Sequence, residues 1–274
     1  MLPTAPITSV RLVAIDLDGT LLDRSKKVSD RAAAALKCLP AAGVKVVIAS
    51  ARPPRSVRHI YQELGLDTWQ INYNGALIWD EPNQQPVFHR PMNSNLVAAM
   101  IDRSRDMFEE VLVTCEILDR WYTDRDDQTY TTETGRLFKP DVVAPVEQFC
   151  TEPITKLMLL GDPMIISRLE SLLLEEFGDK VTILHTDDEL LQIMDNRVSK
   201  AVALQKVAAH YGVKQEEVMA IGDAPNDVGM LQFAGVAVAM ANAHSVVKEV
   251  AHWIAPSNDE HGVHVALQRY GLCE

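Results

Sequence analysis

The apolar run from Arg11 to Ile15 ends without a spacer in Asp16-Leu17-Asp18-Gly19-Thr20. Such a run suits a buried parallel strand, and in open α/β sheets ligands gather outside the carboxyl ends of the strands. Two carboxylates two residues apart at that place are suited to chemistry. Asp-Gly is also an ordinary turn dipeptide, so the pentapeptide alone reads equally as a strand end followed by a turn.

A second acidic cluster changes that balance. Gly222-Asp223-Ala224-Pro225-Asn226-Asp227 also follows a short apolar run, Val218 to Ile221. If the two strands are parallel neighbours, their acids converge. Carboxylates brought together repel one another unless a hard cation with oxygen ligands lies among them, and Mg²⁺, which keeps several of its waters, fits that description.

The stretches between these clusters alternate in type. Ser29 can cap a helix through Ala32 to Ala35 that stops near Gly43, and Val44 to Ala49 returns to strand. Pro53 and Pro54 suit the first turn of a helix through Leu64 that Gly65 closes, and a strand from Trp69 to Tyr73 meets a turn at Asn74-Gly75. Beyond a second turn at Glu81 to Gln85 the pattern changes. Helices are expected at Ser94 to Phe108 and Pro163 to Phe177, among strands at Val111 to Cys115, Trp121 and Tyr122, Lys156 to Leu160, Val181 to His185 and Leu190 to Met194.

Alternation resumes at Lys200, with helices to Tyr211 and Phe233, strands at Val218 to Ile221 and Val236 to Ala239, and helices from Ser245 and near His264 to Tyr270. The fold class expected is α/β: a doubly wound parallel-sheet (Rossmann-like) core, residues 1–82 and 195–274, with an inserted α+β cap domain, residues 83–194.

A chain of 274 residues can bury a substantial core, and its formal charge of -12 with no basic run makes nucleic acid a poor partner. Cys38, Cys115, Cys150 and Cys273 form no CxxC pair, so neither a zinc site nor a thioredoxin-like motif is expected, and a reducing cytoplasm is the simplest location. No apolar stretch reaches the length of a membrane span.

Ser50-Ala51-Arg52 closes the second strand and Lys200 opens the helix after the insertion. A hydroxyl, a backbone N–H at a helix start and a point cation together suit a phosphoryl group. Asp16 to Thr20, Ser50, Lys200 and Gly222-Asp223 with Asn226-Asp227 resemble, in order and spacing, the four motifs of the haloacid dehalogenase-like hydrolases. Asn74-Gly75-Ala76, Val238 to Ala243 and Ser257 to Val263 further resemble the Cof-type sugar-phosphatase branch. Where that branch usually has glycine this chain has Ala51, Ala201 and Ala241, which would alter pocket shape or backbone angles slightly.

The resemblance implies a Mg²⁺-dependent phosphatase acting on a small phosphorylated metabolite. Asp16 is then the nucleophile that forms an aspartyl-phosphate, and Asp18 the acid and base, free to carry a proton near neutral pH. The metal falls to Asp16, the Asp18 carbonyl and Asp223. The backbone N–H groups of Leu17 and Asp18, with Ser50, Ala51, Lys200 and Asn226, surround the phosphate. Asp227 orients Lys200 or a metal-bound water, and Thr20 supports the loop near Asp18. Arg52 is left outside the site, as are the cap residues Arg120, Trp121, Tyr122, Arg125 and His185. The cap would exclude water and choose the ester. Two alternatives use related residues: a phosphomutase of the same fold, and a receiver-like signalling module, which needs about half this length.

Overall fold

The structure, a computed structural model, describes residues 10–127, 129–130 and 132–274. It divides into two compact units, one running to Gln85 and resuming at Ser199–Glu274, the other Pro86–Val198. The first begins with β1 (Leu12–Ile15), four branched or small apolar residues buried on both faces, as a central parallel strand requires. Ser29 caps α1 (Asp30–Cys38) by accepting the Ala32 N–H, and the helix buries Ala32, Ala33, Ala35 and Leu36. Gly43, in the left-handed region, turns the chain into β2 (Lys45–Ile48). Pro54 starts α2 (Pro54–Leu64), and Gly65 ends it. β3 (Trp69–Asn72) and β4 (Leu77–Asp80) pair antiparallel around Asn74-Gly75, where both residues take positive φ as a tight turn demands. β5 (Gln85–His89) carries the chain into the second unit.

The second unit contains α3 (Ser94–Met107), β6 (Leu112–Ile117), β7 (Arg120–Thr123), α4 (Glu133–Leu137), β8 (Val142–Val143), α5 (Val146–Phe149), β9 (Lys156–Leu160), α6 (Pro163–Phe177), β10 (Val181–Asp187) and β11 (Leu190–Asp195). Its sheet runs β10-β11-β9-β6-β7-β8 and is antiparallel except for the last pair. Alternate residues on one face, among them Val113, Cys115, Leu157, Leu159, Leu191 and Ile193, form a core with Val97, Met100 and Ile101 of α3 and Ile166, Leu169 and Leu173 of α6. The sequence reading finds both long helices and the longer strands. It misses α4, β8 and α5, each too short for a hydrophobic period to register.

The first unit resumes with α7 (Lys200–His210), β12 (Val218–Gly222), α8 (Val228–Phe233), β13 (Val236–Met240), α9 (Ser245–Val250), β14 (Trp253–Ala255) and α10 (Gly262–Arg269). Its five strands lie in the order β14-β13-β12-β1-β2, every pair parallel. The path steps one way from β1 to β2 and the other way from β12 to β14. Right-handed crossovers therefore send the connecting helices to opposite faces, with α1 against α2 and α10, and α8 against α7 and α9. β14, absent from the sequence reading, is three residues long with Ile254 exposed. Among the described residues, no helix is long and apolar enough to cross a membrane.

Candidate active site

The sheet order reverses between β1 and β12, and there the two acidic clusters meet. Ile15 lies opposite Ile221 on one side and Ile48 on the other, so Asp16, Asp223 and Ser50 leave adjacent strands at one edge. The Asp16 N–H donates to the Ile221 carbonyl at 3.0 Å, fixing the departure of the loop.

Lys200, the first residue of α7, points its ammonium between two carboxylates. Nζ lies 2.5 Å from Asp16 Oδ1 and 2.6 Å from Asp227 Oδ1, and the lysine side chain is fully buried. Burial alone would lower the Lys200 pKa, but the charges of Asp16 and Asp227 outweigh it and push it up, so the lysine is a fixed cation. Burial and the charge of Asp227 push Asp16 up, with Lys200 pulling the other way. Asp227 Oδ2 accepts the N–H groups of Asp223 and Ala224, at 2.9 and 3.0 Å. Both oxygens of Asp227 therefore accept hydrogen bonds, one of them from Lys200.

Asp223 lies on the other side of Asp16. Thr20 Oγ1 donates to Asp223 Oδ1 at 2.8 Å, so the threonine ties the loop that carries Asp18 to the second acidic cluster. Gly19 is required for this approach: its φ is +85, and a Cβ there would collide with the Asp223 carboxylate. Gly222 makes similar room for Asp227. One oxygen from each of Asp16, Asp223 and Asp227 falls within 4.8 Å of the others. Asp16 Oδ2 is buried and receives no hydrogen bond. A buried, donorless carboxylate oxygen beside a second carboxylate, in an all-oxygen set, fits a hard divalent cation such as Mg²⁺. Asp227 enters that set with both of its oxygens already accepting hydrogen bonds.

Asp18 is not drawn into that cluster. Arg52 grips its carboxylate with Nε at 2.7 Å and Nη2 at 2.5 Å, and Lys26 adds a contact at 2.8 Å. Burial pushes Asp18 up, but the hydrogen bonds and charges of Arg52 and Lys26 prevail and hold its carboxyl below the usual range. In this conformation Asp18 is ionised. Arg52, left out on sequence grounds, belongs to the site. Its N–H donates to Ser50 Oγ at 3.1 Å, and its carbonyl accepts Asn72 Nδ2 and the Tyr73 N–H. Arg52 stands two residues after Ser50, and that position was the available signal.

Ser50 is buried and its main chain is fixed at both ends, to the Ile71 carbonyl and the Asn74 N–H. Asn226 Nδ2 donates to Asn74 Oδ1 at 2.9 Å while its own Oδ1 is buried without a donor, so the Asn74-Gly75 turn also braces the site. Leu17 is buried, with its carbonyl accepting the N–H groups of Leu21 and Leu22, and Ala51 is half-buried. Ala51, Ala201 and Ala241 all keep negative φ, so none carries the backbone strain that a replaced glycine could imply. The Ala201 methyl faces Gly229, where a Cβ would lie only 3.2 Å away.

The family model for haloacid dehalogenase-like hydrolases matches residues 13–267. The 5-amino-6-(5-phospho-D-ribitylamino)uracil phosphatase YitU of Bacillus subtilis is 29% identical over 266 residues, covering 96% of this chain and 98% of that protein. Phosphatase YwpJ of the same organism is 29% identical over 278 residues, covering 93% and 97%. A solved haloacid dehalogenase-like hydrolase from Bacteroides thetaiotaomicron superposes with a TM-score of 0.86 at 27% identity, covering 95% of this chain and 99% of that one.

Proposed function

The chain belongs to the haloacid dehalogenase-like hydrolase family, and from that membership we propose that it hydrolyses small phosphate monoesters through an aspartyl-phosphate on Asp16. The observation that carries this reading is Asp16 itself, with one oxygen held by Lys200 and the other buried without a donor beside Asp223. Such an oxygen has its lone pairs available to a phosphorus atom or a metal.

Asp16 attacks phosphorus in line as the bond to the ester oxygen breaks, and Asp18 supplies the proton that the departing alkoxide needs. Arg52 must first release Asp18, because a carboxylate gripped through two N–H groups has no proton to give. Water then attacks the phosphoryl group on Asp16, and Asp18 takes the proton back. Lys200 offsets charge on the transferring oxygens, and Asp227 keeps it in place. Ser50, Asn226 and the main chain at Leu17 and Ala51 line the remaining phosphate positions. Mg²⁺, held by Asp16, the Asp18 carbonyl and Asp223, would shield the phosphate's charge from the attacking carboxylate.

The substrates proposed are sugar phosphates and related metabolites. The activity for which the relative YitU is named, on a phosphate carried by a ribityl chain, supports that class. On this reading the inserted unit, Pro86–Val198, selects the leaving group. A screen of phosphorylated metabolites for released inorganic phosphate, with Mg²⁺ and with a chelator, tests the proposal. Metal-dependent release with turnover supports it. Phosphoryl transfer without release would indicate a mutase, and a single stable phosphorylation a receiver.

A further inference from the structure

Arg52 reaches Asp18 from a main chain that is itself held. Its carbonyl accepts the Asn72 side-chain amide at 3.2 Å and the Tyr73 N–H at 3.4 Å, and its N–H donates to Ser50 Oγ. Behind that carbonyl lies a row of buried polar groups. Gln70 and Asn72, alternate residues of β3, are both fully buried. Asn72 Nδ2 donates to Gln70 Oε1 at 3.0 Å as well as to the Arg52 carbonyl. Gln70 Nε2 donates to Glu81 Oε2 at 2.7 Å, and Glu81 Oε1 accepts the Nε–H of Arg58, in α2, at 2.8 Å.

The row has a direction. A carboxylate offers only acceptors, so Gln70 must turn its NH2 toward Glu81 and its oxygen toward Asn72. Asn72 must then turn its own NH2 toward Gln70, and the same nitrogen supplies the donor for the Arg52 carbonyl. This orientation leaves Asn72 Oδ1 buried without a hydrogen bond. The reversed amide would cost more, since it sets that oxygen against two other acceptors, Gln70 Oε1 and the Arg52 carbonyl. Through two amides, Glu81 decides whether the Arg52 carbonyl meets a donor or an acceptor.

We propose that Glu81, Gln70 and Asn72 are positioning residues, a one-way amide relay that holds the Arg52 main chain where its guanidinium grips Asp18. They act through Arg52. The consequence for turnover rests on the phosphatase activity proposed for this site, whereas the placement of Arg52 does not. Glu81→Gln reverses the relay: Arg58 donates to the side-chain oxygen at position 81, the new NH2 faces Gln70, both amides turn over, and the Arg52 carbonyl is left facing Asn72 Oδ1. Arg58→Gln removes the ion pair but keeps the carboxylate, and with it the direction.

The test follows the Nε–H of Arg52 by NMR in the full chain labelled with 15N-arginine, the resonance being assigned by its loss in Arg52→Gln. An Nε–H bonded to a carboxylate is protected from exchange with solvent, so the parent should show a persistent signal. The signal should persist in Arg58→Gln and be lost to fast exchange in folded Glu81→Gln and Asn72→Ser. In phosphate release, adding Asn72→Ser to Arg52→Gln should leave kcat within about twofold of Arg52→Gln alone, because the two changes share one route. A persistent Arg52 signal in Glu81→Gln or Asn72→Ser, its loss in Arg58→Gln, or a further fall in kcat in the double variant overturns the relay. A parent that releases no phosphate would instead overturn the phosphatase activity, and the NMR result would still decide the relay.

Discussion

Lys200 and Asp227 form an ion pair with both side chains fully buried, Nζ lying 2.6 Å from Oδ1. The same ammonium holds Asp16, so one cation balances a cluster in which Asp16, Asp223 and Asp227 all stand close together. A pair this deep gains little over an apolar isostere, but removing one partner leaves charge uncompensated. Lys200→Met should therefore cost about 3–5 kcal/mol in urea unfolding at neutral pH. The loss should shrink as acid protonates the stranded carboxylates. A variant as stable as the parent would show that Lys200 does not balance the cluster.

Thr20 holds Asp223 from behind through a single hydrogen bond. Removing a group that orients a ligand typically weakens metal affinity by roughly 10–100-fold. Thr20→Val keeps the shape and removes the hydroxyl, so half-maximal activity should require correspondingly more Mg²⁺, with the rate at saturating metal much less affected. An unchanged Mg²⁺ titration would separate Thr20 from the metal site.

Arg52 keeps Asp18 charged. In Arg52→Gln, burial acts on Asp18 with less opposition, so its carboxyl should titrate higher and the limb of the pH–rate profile that it governs should move to higher pH. Arg52→Lys should keep part of the effect, since it restores the charge without the two-pronged grip. Superimposable profiles for all three proteins would remove Arg52 from the acid–base step.

His89 is pushed down to about 4 by burial, with its Nε2 placed 2.8 Å from Thr155 Oγ1. Its folded pKa is thus below the unfolded value near 6.5. Above pH 6.5 both states are neutral there and the group costs nothing. Between pH 6.5 and about 4 the unfolded chain takes up the proton first, so stability falls as pH falls. His89→Gln should flatten that part of a plot of Tm against pH. An unchanged slope would assign the acid sensitivity elsewhere.

Gly229 and Ala201 are complementary. Gly229→Ala puts two methyl groups 3.2 Å apart, so it should forgo most of the roughly 1 kcal/mol that alanine gains over glycine in a helix, and the double variant with Ala201→Gly should be more stable than the sum of the two single changes. Additive effects in that cycle would show that the two positions do not share space.

The sequence displays the strand ends well because Leu12 to Ile15 and Val218 to Ile221 are unbroken apolar runs with acids immediately after them. Capping residues such as Ser29 and Gly65 mark the helices for the same local reason. Side-chain partners are less legible. Thr20 lies beside Asp18 in sequence but bonds to Asp223, 203 residues away, because β1 and β12 are neighbours in the sheet. Arg52 reads as a surface residue until the turn after β2 aims it at Asp18.

The central claim is that Asp16 carries the phosphoryl group. Mixing the protein with a radiolabelled phosphate monoester and Mg²⁺, quenching in acid and mapping the labelled peptide tests it most directly. The account predicts a hydroxylamine-sensitive label on Asp16 that is absent from Asp16→Asn, together with loss of phosphate release in that variant. Sustained phosphate release by Asp16→Asn, or label on any other residue, would contradict it.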